Sequence, residues 1–354
     1  MSKEGVNMKE NETYLNMLIN TYISSDSNVD EITNSFNKIL NFANEYYNGT
    51  VFRYRPYEEK NIDAFEKDLL FISNNNYYQD VLDSKVSIDA SKIVEDITKD
   101  IERLKNDPYQ LLDNNLLPVD IKEKLKEILD KNEEKQLYDK VIAMKGQFID
   151  FVKKKAKDYI DYLNKQQYRS ICFCENPISN VMWDRYGNGH KGFCLEYMIQ
   201  LGHIKNICSS CMNKCKNKLE ICLLPVAYSK YKFDATYMIS KLIKNDLSNK
   251  LFGFTSYSEY DMFFQHKVQL IKCEDGYIDE NEYRLIVNSK CPAINLKPVA
   301  LYLGYKLSRH EKDRLALIAK NKGILAYEVY DDVFSIDYNM KKSIYQFLPP
   351  LNYT

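Results

Sequence analysis

Apolar positions recur along this chain with two different spacings, and the switches between them predict its elements. Residues 10–24 and 28–47 carry helical spacing; in the second, Ile32, Phe36, Ile39, Leu40 and Ala43 share one face. Ser27 or Asn28 opens that helix with Asp30 and Glu31 in its first turn, and Gly49 ends it. From Val51 to Arg55 the period falls to two, predicting a strand, followed by a short helix from Asn61 to Asp68, a second strand from Leu69 to Ser73 and a loop from Tyr77 to Asp83. Helical spacing returns from Ser91 to Gln167. There Ile93, Ile97, Ile101 and Leu104 form one stripe, Asp107-Pro108 and Leu117-Pro118 punctuate, Ile121 begins another stripe, and a long helix runs from Glu133 to Asn164.

Ile171/Phe173 and Phe193/Leu195/Tyr197 alternate on either side of a polar, turn-rich middle, which predicts strand, crossing, strand. A Cys-rich insert follows, then a strand Leu223–Tyr228, helices Asp234–Phe252 and Ser258–His266, strands Glu282–Val287 and Val299–Leu303, a helix Ser308–Asn321 and a strand Leu325–Tyr330. Strands and helices mix without regular βαβ alternation, so the expected class is α+β with a mixed or antiparallel sheet. The expected organisation is an N-terminal helical hairpin over 1–50, a core over 51–90 and 168–332, a helical insertion over 91–167 acting as a lid or interaction face, a Cys-rich insert at 203–222, and a tail over 333–354.

Composition narrows the classes. The 354 residues, 45% of them hydrophobic, suffice for a substantial core. With 49 basic against 50 acidic residues, the overall field favours no polyanionic partner, and a nucleic-acid contact would need a local patch. The N-terminal MSKEGVNMKENE has no apolar leader core, and no run approaches the roughly 18 apolar residues of a membrane span, so no membrane partner and a cytoplasmic location are expected. Nine Cys are then read as thiols or metal ligands rather than a disulfide framework. The absence of a Gly-rich phosphate loop argues against P-loop NTPases and Rossmann dehydrogenases.

The stretch ICFCENPISNVMWDRYGNGHKGFCLEY, residues 171–197, holds the only Trp, three Cys and one of four His. Trp183 reads as a packing anchor or a ring that stacks on a ligand, and His190, between two glycines, as a structural or site histidine. The segment MWDRYGNGHKGFCLEY resembles the signature of a bacterial domain-of-unknown-function family, number 2971. FRYRP at 52–56, LLFISNNNYYQDVLD at 69–83, Glu280-Asn-Glu282-Tyr283-Arg284 and VALYLGYKL at 299–307 fall in that family's order. Two departures stand out: Cys174 where the family commonly has Ser, and a 78–83 loop that lacks its Pro and Asn while keeping Asp80 and Asp83.

At a coarse level the order of parts also looks similar to mono-ADP-ribosyltransferases, which cleave NAD⁺. That likeness implies Arg55, with Tyr54 beside it, on the strand that grips the dinucleotide, Ser73 at the end of the next strand, and Glu282 at the nicotinamide ribose. A guanidinium holds a pyrophosphate bidentately, and a fixed carboxylate offsets the charge of an oxocarbenium-like state. Glu280 and Glu282 are two apart, so on a strand both face one way with Arg284 continuing the row; a solvated charge ladder, or an Arg55–Glu282 ion pair, is the plain alternative. His190 completes the catalytic candidates, while Trp183 and Lys267 extend the binding set, Lys267 being otherwise a solvated charge. The NAD⁺ reading requires Arg55, His190 and Glu282 to line one hollow, with Arg55 and Glu282 on the same side of the sheet.

Cys208, Cys211, Cys215 and Cys222 place four thiols in 15 residues, a spacing that can close around tetrahedral zinc or simply leave buried thiols. Lys205, Lys214, Lys216 and Lys218 would then rim a nucleic-acid contact. Three functions stay open: an NAD⁺-cleaving transferase acting on a protein or nucleic acid as a toxin or anti-phage effector, a Mg²⁺ nuclease using Glu280, Glu282, Asp80 and His190, and a non-catalytic binding module whose helical insertion meets a partner.

Overall fold

A computed structural model describes residues 8–74, 83–106, 123, 126, 127, 131, 145–165, 169–204, 221–252, 261–287, 292–331 and 340–347. The first two helices are Met8–Asn20 (α1) and Val29–Tyr46 (α2). Asn28 is the N-cap: its side chain accepts from the Glu31 amide while the Glu31 carboxylate takes the Asn28 N–H. Phe36, Ile39 and Ala43 are the buried face of α2, which stops at Tyr46 with Tyr47 already extended, before Gly49.

The central strands are Thr50–Pro56 (β1), Arg169–Cys174 (β5), Gly192–Met198 (β6) and Glu282–Val287 (β12). Short strands Leu69–Phe71 (β2), Ser73–Asn74 (β3) and Val86–Ser87 (β4) lie between β1 and β5 in sequence. Gly202–Ile204 (β7), Ile221–Pro225 (β8), Ala227–Ser229 (β9), Phe233–Asp234 (β10) and Ile271–Cys273 (β11) precede β12, and Ala293–Asn295 (β13), Ala300–Leu303 (β14), Leu325–Tyr330 (β15) and Lys341–Ile344 (β16) follow it. Among the described residues the main sheet has the order β16-β15-β14-β6-β1-β5-β12-β8-β7, with β3 also pairing β5. Its neighbours are antiparallel except β14 with β15, which gives a mixed α/β molecule around a large, mostly antiparallel sheet.

One face of the sheet buries Val51, Phe173, Leu195, Tyr283 and Leu301 against Glu59–Glu66 (α3) and Arg309–Lys322 (α9), whose Phe65, Leu315 and Ile318 complete that cluster. Ser308 caps α9 in a box with Glu311, and Gly323 closes it at φ 69°, a left-handed turn that glycine takes without strain. The opposite face is covered in two parts. Asn180–Tyr186 (α6) packs Met182 and Trp183 on Phe52, Tyr54 and Cys194. Beyond it, α1, α2, Ala90–Asn106 (α4), Lys145–Lys165 (α5), Thr236–Phe252 (α7) and Phe264–Leu270 (α8) build a second cluster on Leu224 and Ile286. The stripe begun by Ile93 and Ile97 points into it, next to Val152 of α5 and Ile239 of α7.

Several boundaries differ from the sequence pattern. The helix expected over Ser258–His266 starts at Phe264 instead, and the apolar run after it turns into β11, too short to show a period. Within the expected tail, Lys341–Ile344 pairs with β15 as the last strand of the sheet. The strand expected from Leu223 to Tyr228 is two, broken at Val226, whose amide donates to the Glu282 carbonyl.

Gly187 and Gly192 of the signature serve close approach. Gly192 opens β6 beside Pro56, and a Cβ there would lie 2.2 Å from the Arg55 carbonyl oxygen. Backbone cannot yield as a side-chain tip can, so Gly192→Ala is expected to lower unfolding free energy by about 2 kcal/mol or more. Urea denaturation checks this; a loss below about 0.5 kcal/mol, the scale of a neutral surface change, would contradict it.

Candidate functional site

The pairing of β1 sets up the site. β1 runs beside β6 through seven registered residues, yet meets β5 only at Phe52↔Cys174. Further along, β5 pairs with β3 instead, at Ser73↔Ser170. The sheet therefore splits between β1 and β5, and a cleft of about 280 Å³ occupies the split. Arg53, Tyr54 and Arg55 form one wall and Ser73, Cys172 and Phe173 another. Met182 and Tyr186 come from α6, and Asp83, Lys272, Glu280 and Glu282 close the interior end.

Strand alternation decides which faces these residues come from. Phe52, Cys174 and Glu282 stand in one cross-strand row, because Phe52 and Glu282 are both registered to Cys174. Arg53 and Arg55 alternate with Phe52 and Tyr54, so they leave β1 on the opposite face, where Arg53 lies 5.8 Å from the Phe173 ring centroid. Arg55 and Glu282 thus do not share a side of the sheet, contrary to the sequence-based requirement. They line the same cavity because the split connects the two faces.

The interior end is a buried ion network. Glu282 sits at the start of β12 with 5% exposure, and Arg284, fully buried, follows it on the same face. Arg284 Nε donates to Glu282 Oε1 at 2.7 Å, and its Nη1 donates to Asp83 Oδ1 at 2.8 Å. Lys272 Nζ, on β11, donates to Glu280 Oε2 at 2.7 Å and to Glu282 Oε2 at 2.9 Å. Arg185 Nη1 and Tyr186 Oη both donate to Glu280 Oε1, at 2.8 and 3.0 Å. Three carboxylates and three cations thus sit in contact. Burial alone would raise the Glu282 carboxyl, but the Arg284 guanidinium and Lys272 ammonium outweigh it and hold the group well below the usual carboxylate range. Burial, with the Glu282 charge adding to it, pushes the Cys172 thiol up to about 12, so it is no nucleophile near neutrality.

The β1 wall is cationic. Arg55 is half-buried, and among the described residues no carboxylate lies within ion-pair distance of it. Burial, reinforced by neighbouring Arg53, pushes its guanidinium down to about 9. The group stays cationic near neutrality, and a bound phosphate or carboxylate would supply its counter-charge, so the β1 wall suits such anions.

Of the residues singled out in the sequence, Tyr54, Arg55, Ser73, Glu280 and Glu282 line the cleft. Glu280 does so from the end of a 3₁₀ turn over Ile278–Glu280, not from the strand; Asn281, at φ 43°, separates the two acids. Trp183 is fully buried, donates its indole N–H to the Pro177 carbonyl at 3.0 Å and meets Tyr54 edge-on at 4.8 Å, so no ligand can stack on it. His190, 5% exposed, stacks on Trp183 at 5.6 Å and lies 4.6 Å from the Tyr305 ring, outside the cleft lining. Burial lowers its pKa and it packs as a neutral ring. Lys267 is neither solvated nor at the cleft, being 5% exposed and bonded to Asp261 Oδ2 at 2.8 Å. Arg55 does not close onto Glu282, whose partners are Arg284 and Lys272. Cys174 Sγ reaches the Phe52 carbonyl at 3.5 Å from a buried position and has no hydroxyl-like access to the cleft.

Cys208, Cys211, Cys215, their lysines and Asp80 lie outside the described residues. Cys222 is described, on β8, 2% exposed in the apolar cluster with Leu224. Among the described residues no group of three or more His, Cys, Asp or Glu is placed to hold a metal ion.

Lys272, Arg53 and Tyr186 are site residues that the sequence reading passed over. Arg53 was legible, since it shares a face with Arg55. Lys272, a single charge between Ile271 and Cys273, carried a weaker signal: a cation in an apolar strand needs a buried partner.

Residues 182–285 match the model of the family described as "Protein of unknown function (DUF2971)", the family the signature resembles. No curated protein and no solved structure matches the chain. No described helix is long and apolar enough to cross a membrane.

The network fixes a pH signature. Because the Glu282 carboxyl is depressed in the folded state, its stabilisation is complete above the ordinary carboxylate pKa of about 4.3 and is lost as pH falls below it. Glu282→Gln leaves Arg284 and Lys272 short of a counter-charge and is expected to cost about 3 kcal/mol at pH 7. That difference should narrow steadily below about pH 4.3 in urea denaturation. A difference independent of pH would contradict the assignment.

Proposed function

We propose that the cleft binds NAD⁺ and cleaves its nicotinamide–ribose bond, as the ADP-ribosyltransferases do. The observation that supports this is that Tyr54, Arg55, Ser73, Glu280 and Glu282 line one cavity at a split in the sheet; the split brings Arg55 and Glu282 together from opposite faces in place of the shared face expected from the sequence, and His190 takes no part. In this reading Arg55, with Arg53 behind it, holds the pyrophosphate at the β1 wall, and the Ser73 hydroxyl donates to phosphate or ribose oxygen. The nicotinamide ribose lies at the interior end. The leaving nicotinamide takes both electrons of its bond to C1′, positive charge develops on the sugar, and the ionised glutamates oppose it while Glu282 accepts a hydrogen bond from a ribose hydroxyl. Glu282 accepts from Arg284 Nε and Nη2, Lys272 Nζ and the Cys172 thiol, so the ribose hydroxyl takes the place of the thiol, the weakest of these donors. Water, or a nucleophile on a protein or nucleic acid, then adds to C1′ and loses its proton. A toxin or anti-phage effector is the setting such chemistry suits.

A second reading has its own support. Glu280 and Glu282 are both engaged by buried cations, which is what a purely structural network requires, and the cleft would then bind an anionic ligand without changing it. A Mg²⁺ nuclease is less well supported, because those carboxylates are occupied by ammonium and guanidinium and His190 packs on Trp183 outside the cleft lining.

Nicotinamide release from NAD⁺, followed by chromatography, separates these readings. Glu282→Gln is expected to lower kcat by about 10²–10³-fold with the fold retained by circular dichroism, and Arg55→Ala to raise KM about tenfold with kcat within about threefold. NAD⁺ bound but unchanged by the unmodified protein would favour the binding module, and failure to bind it would remove the NAD⁺ reading. Zinc on Cys208, Cys211, Cys215 and Cys222 is a separate proposal, in which a tetrahedral ion folds the insert. Metal analysis should find about one zinc per chain, lost in Cys211→Ser; a metal-free unmodified protein would end it.

A further inference from the structure

We infer that Lys272 is a positioning residue, holding the Glu280 and Glu282 carboxylates side by side at the interior wall of the cleft. Its activity consequences rest on the NAD⁺ reading; the geometry does not. Lys272 is 5% exposed, on β11, a strand that pairs with β9 and brings Lys272 into register with Tyr228. Its ammonium donates to one oxygen of each glutamate, at 2.7 and 2.9 Å, and lies 4.5 Å from the Tyr277 ring centroid. The two acceptor oxygens are therefore within two hydrogen-bond lengths of each other. Two ionised carboxylates held at that range repel each other, and a cation between them offsets the repulsion.

Among the described residues, the other groups that hydrogen-bond the pair reach it from the flanks. From β12, Arg284 contacts Glu282, and from α6, Arg185 and Tyr186 contact Glu280. From β5, the Cys172 thiol hydrogen-bonds Glu282, and from β9 the Tyr228 hydroxyl accepts the Glu282 amide at 2.9 Å. Asp83 lies behind Arg284 and adds a third negative charge. Removing the ammonium leaves three carboxylates facing two guanidiniums and takes from Glu282 one of the two cations that hold its carboxyl low, so Glu282 takes up a proton at higher pH. A compact ammonium with three donors bridges two acids at contact distance; a guanidinium keeps the charge in a larger, planar form.

The test compares Lys272→Met, Lys272→Arg and the unmodified protein in kcat and KM for NAD⁺ between pH 5 and 9. In Lys272→Met the acid limb of kcat should move up by about one unit or more, with about a tenfold loss at pH 6 that shrinks to about threefold or less at pH 9 and little change in KM. Lys272→Arg should keep the original limb. An unmoved limb in Lys272→Met, or equal losses in both variants at every pH, overturns the proposal. A second measurement needs neither NAD⁺ nor a variant that folds without the charge: ¹³C NMR of the Glu282 side-chain carboxyl in the unmodified protein. It should stay ionised from pH 7 to pH 5, and protonation within that range overturns the role of Lys272 even if nicotinamide is released. Absence of nicotinamide release with the carboxyl still ionised would instead overturn the NAD⁺ reading alone.

Discussion

Charge that water cannot reach must be matched at contact distance, and the interior of this protein is arranged around that demand. Asp83, Glu280 and Glu282 arrive from a loop, a 3₁₀ turn and a strand, and Lys272, Arg284 and Arg185 from two strands and a helix. None of the six is a sequence neighbour of all its partners, so the network forms only when β11, β12 and α6 are in place together. Removing one partner leaves a buried charge uncompensated, a cost far above that of losing a surface pair.

The same region is where the sheet fails to close. β1 leaves β5 after a single registered pair, and β3 takes the vacated edge of β5. A continuous sheet would have kept the guanidiniums of β1 and the carboxylate of Glu282 on separate faces. The split makes them walls of one cavity, cationic at the β1 side and with paired acids inside. The signature residues hold that opening in shape rather than entering it. Trp183 braces Tyr54, His190 braces Trp183, and Gly192 lets β6 lie against the end of β1.

Much of this framework was legible from local rules. Capping at Asn28, the strands over Val51–Arg55 and Glu282–Val287, and the crossing between Ile171 and Tyr197 depend on neighbours a few residues away, and there the structure follows the pattern. The site was only partly legible. The coarse likeness to ADP-ribosyltransferases pointed to Arg55, Ser73 and Glu282, but the placement of Lys267 and His190 depends on packing against Asp261 and Trp183, which no spacing rule contains. Lys272 was hidden because β11 is three residues long and its partners lie eight and ten residues on, one of them beyond a left-handed turn at Asn281. The opposed faces of Arg55 and Glu282 follow from a register that only the assembled sheet defines.

The central claim is that this split is a dinucleotide site, and the most direct measurement is a crystal structure of the unmodified protein soaked with a carbocyclic NAD⁺ analogue, whose nicotinamide bond resists cleavage. The account predicts the pyrophosphate within hydrogen-bond reach of Arg55 and the nicotinamide-bearing ring against Glu280 and Glu282. An empty cleft at saturating analogue, or an analogue seated elsewhere on the molecule, would contradict it.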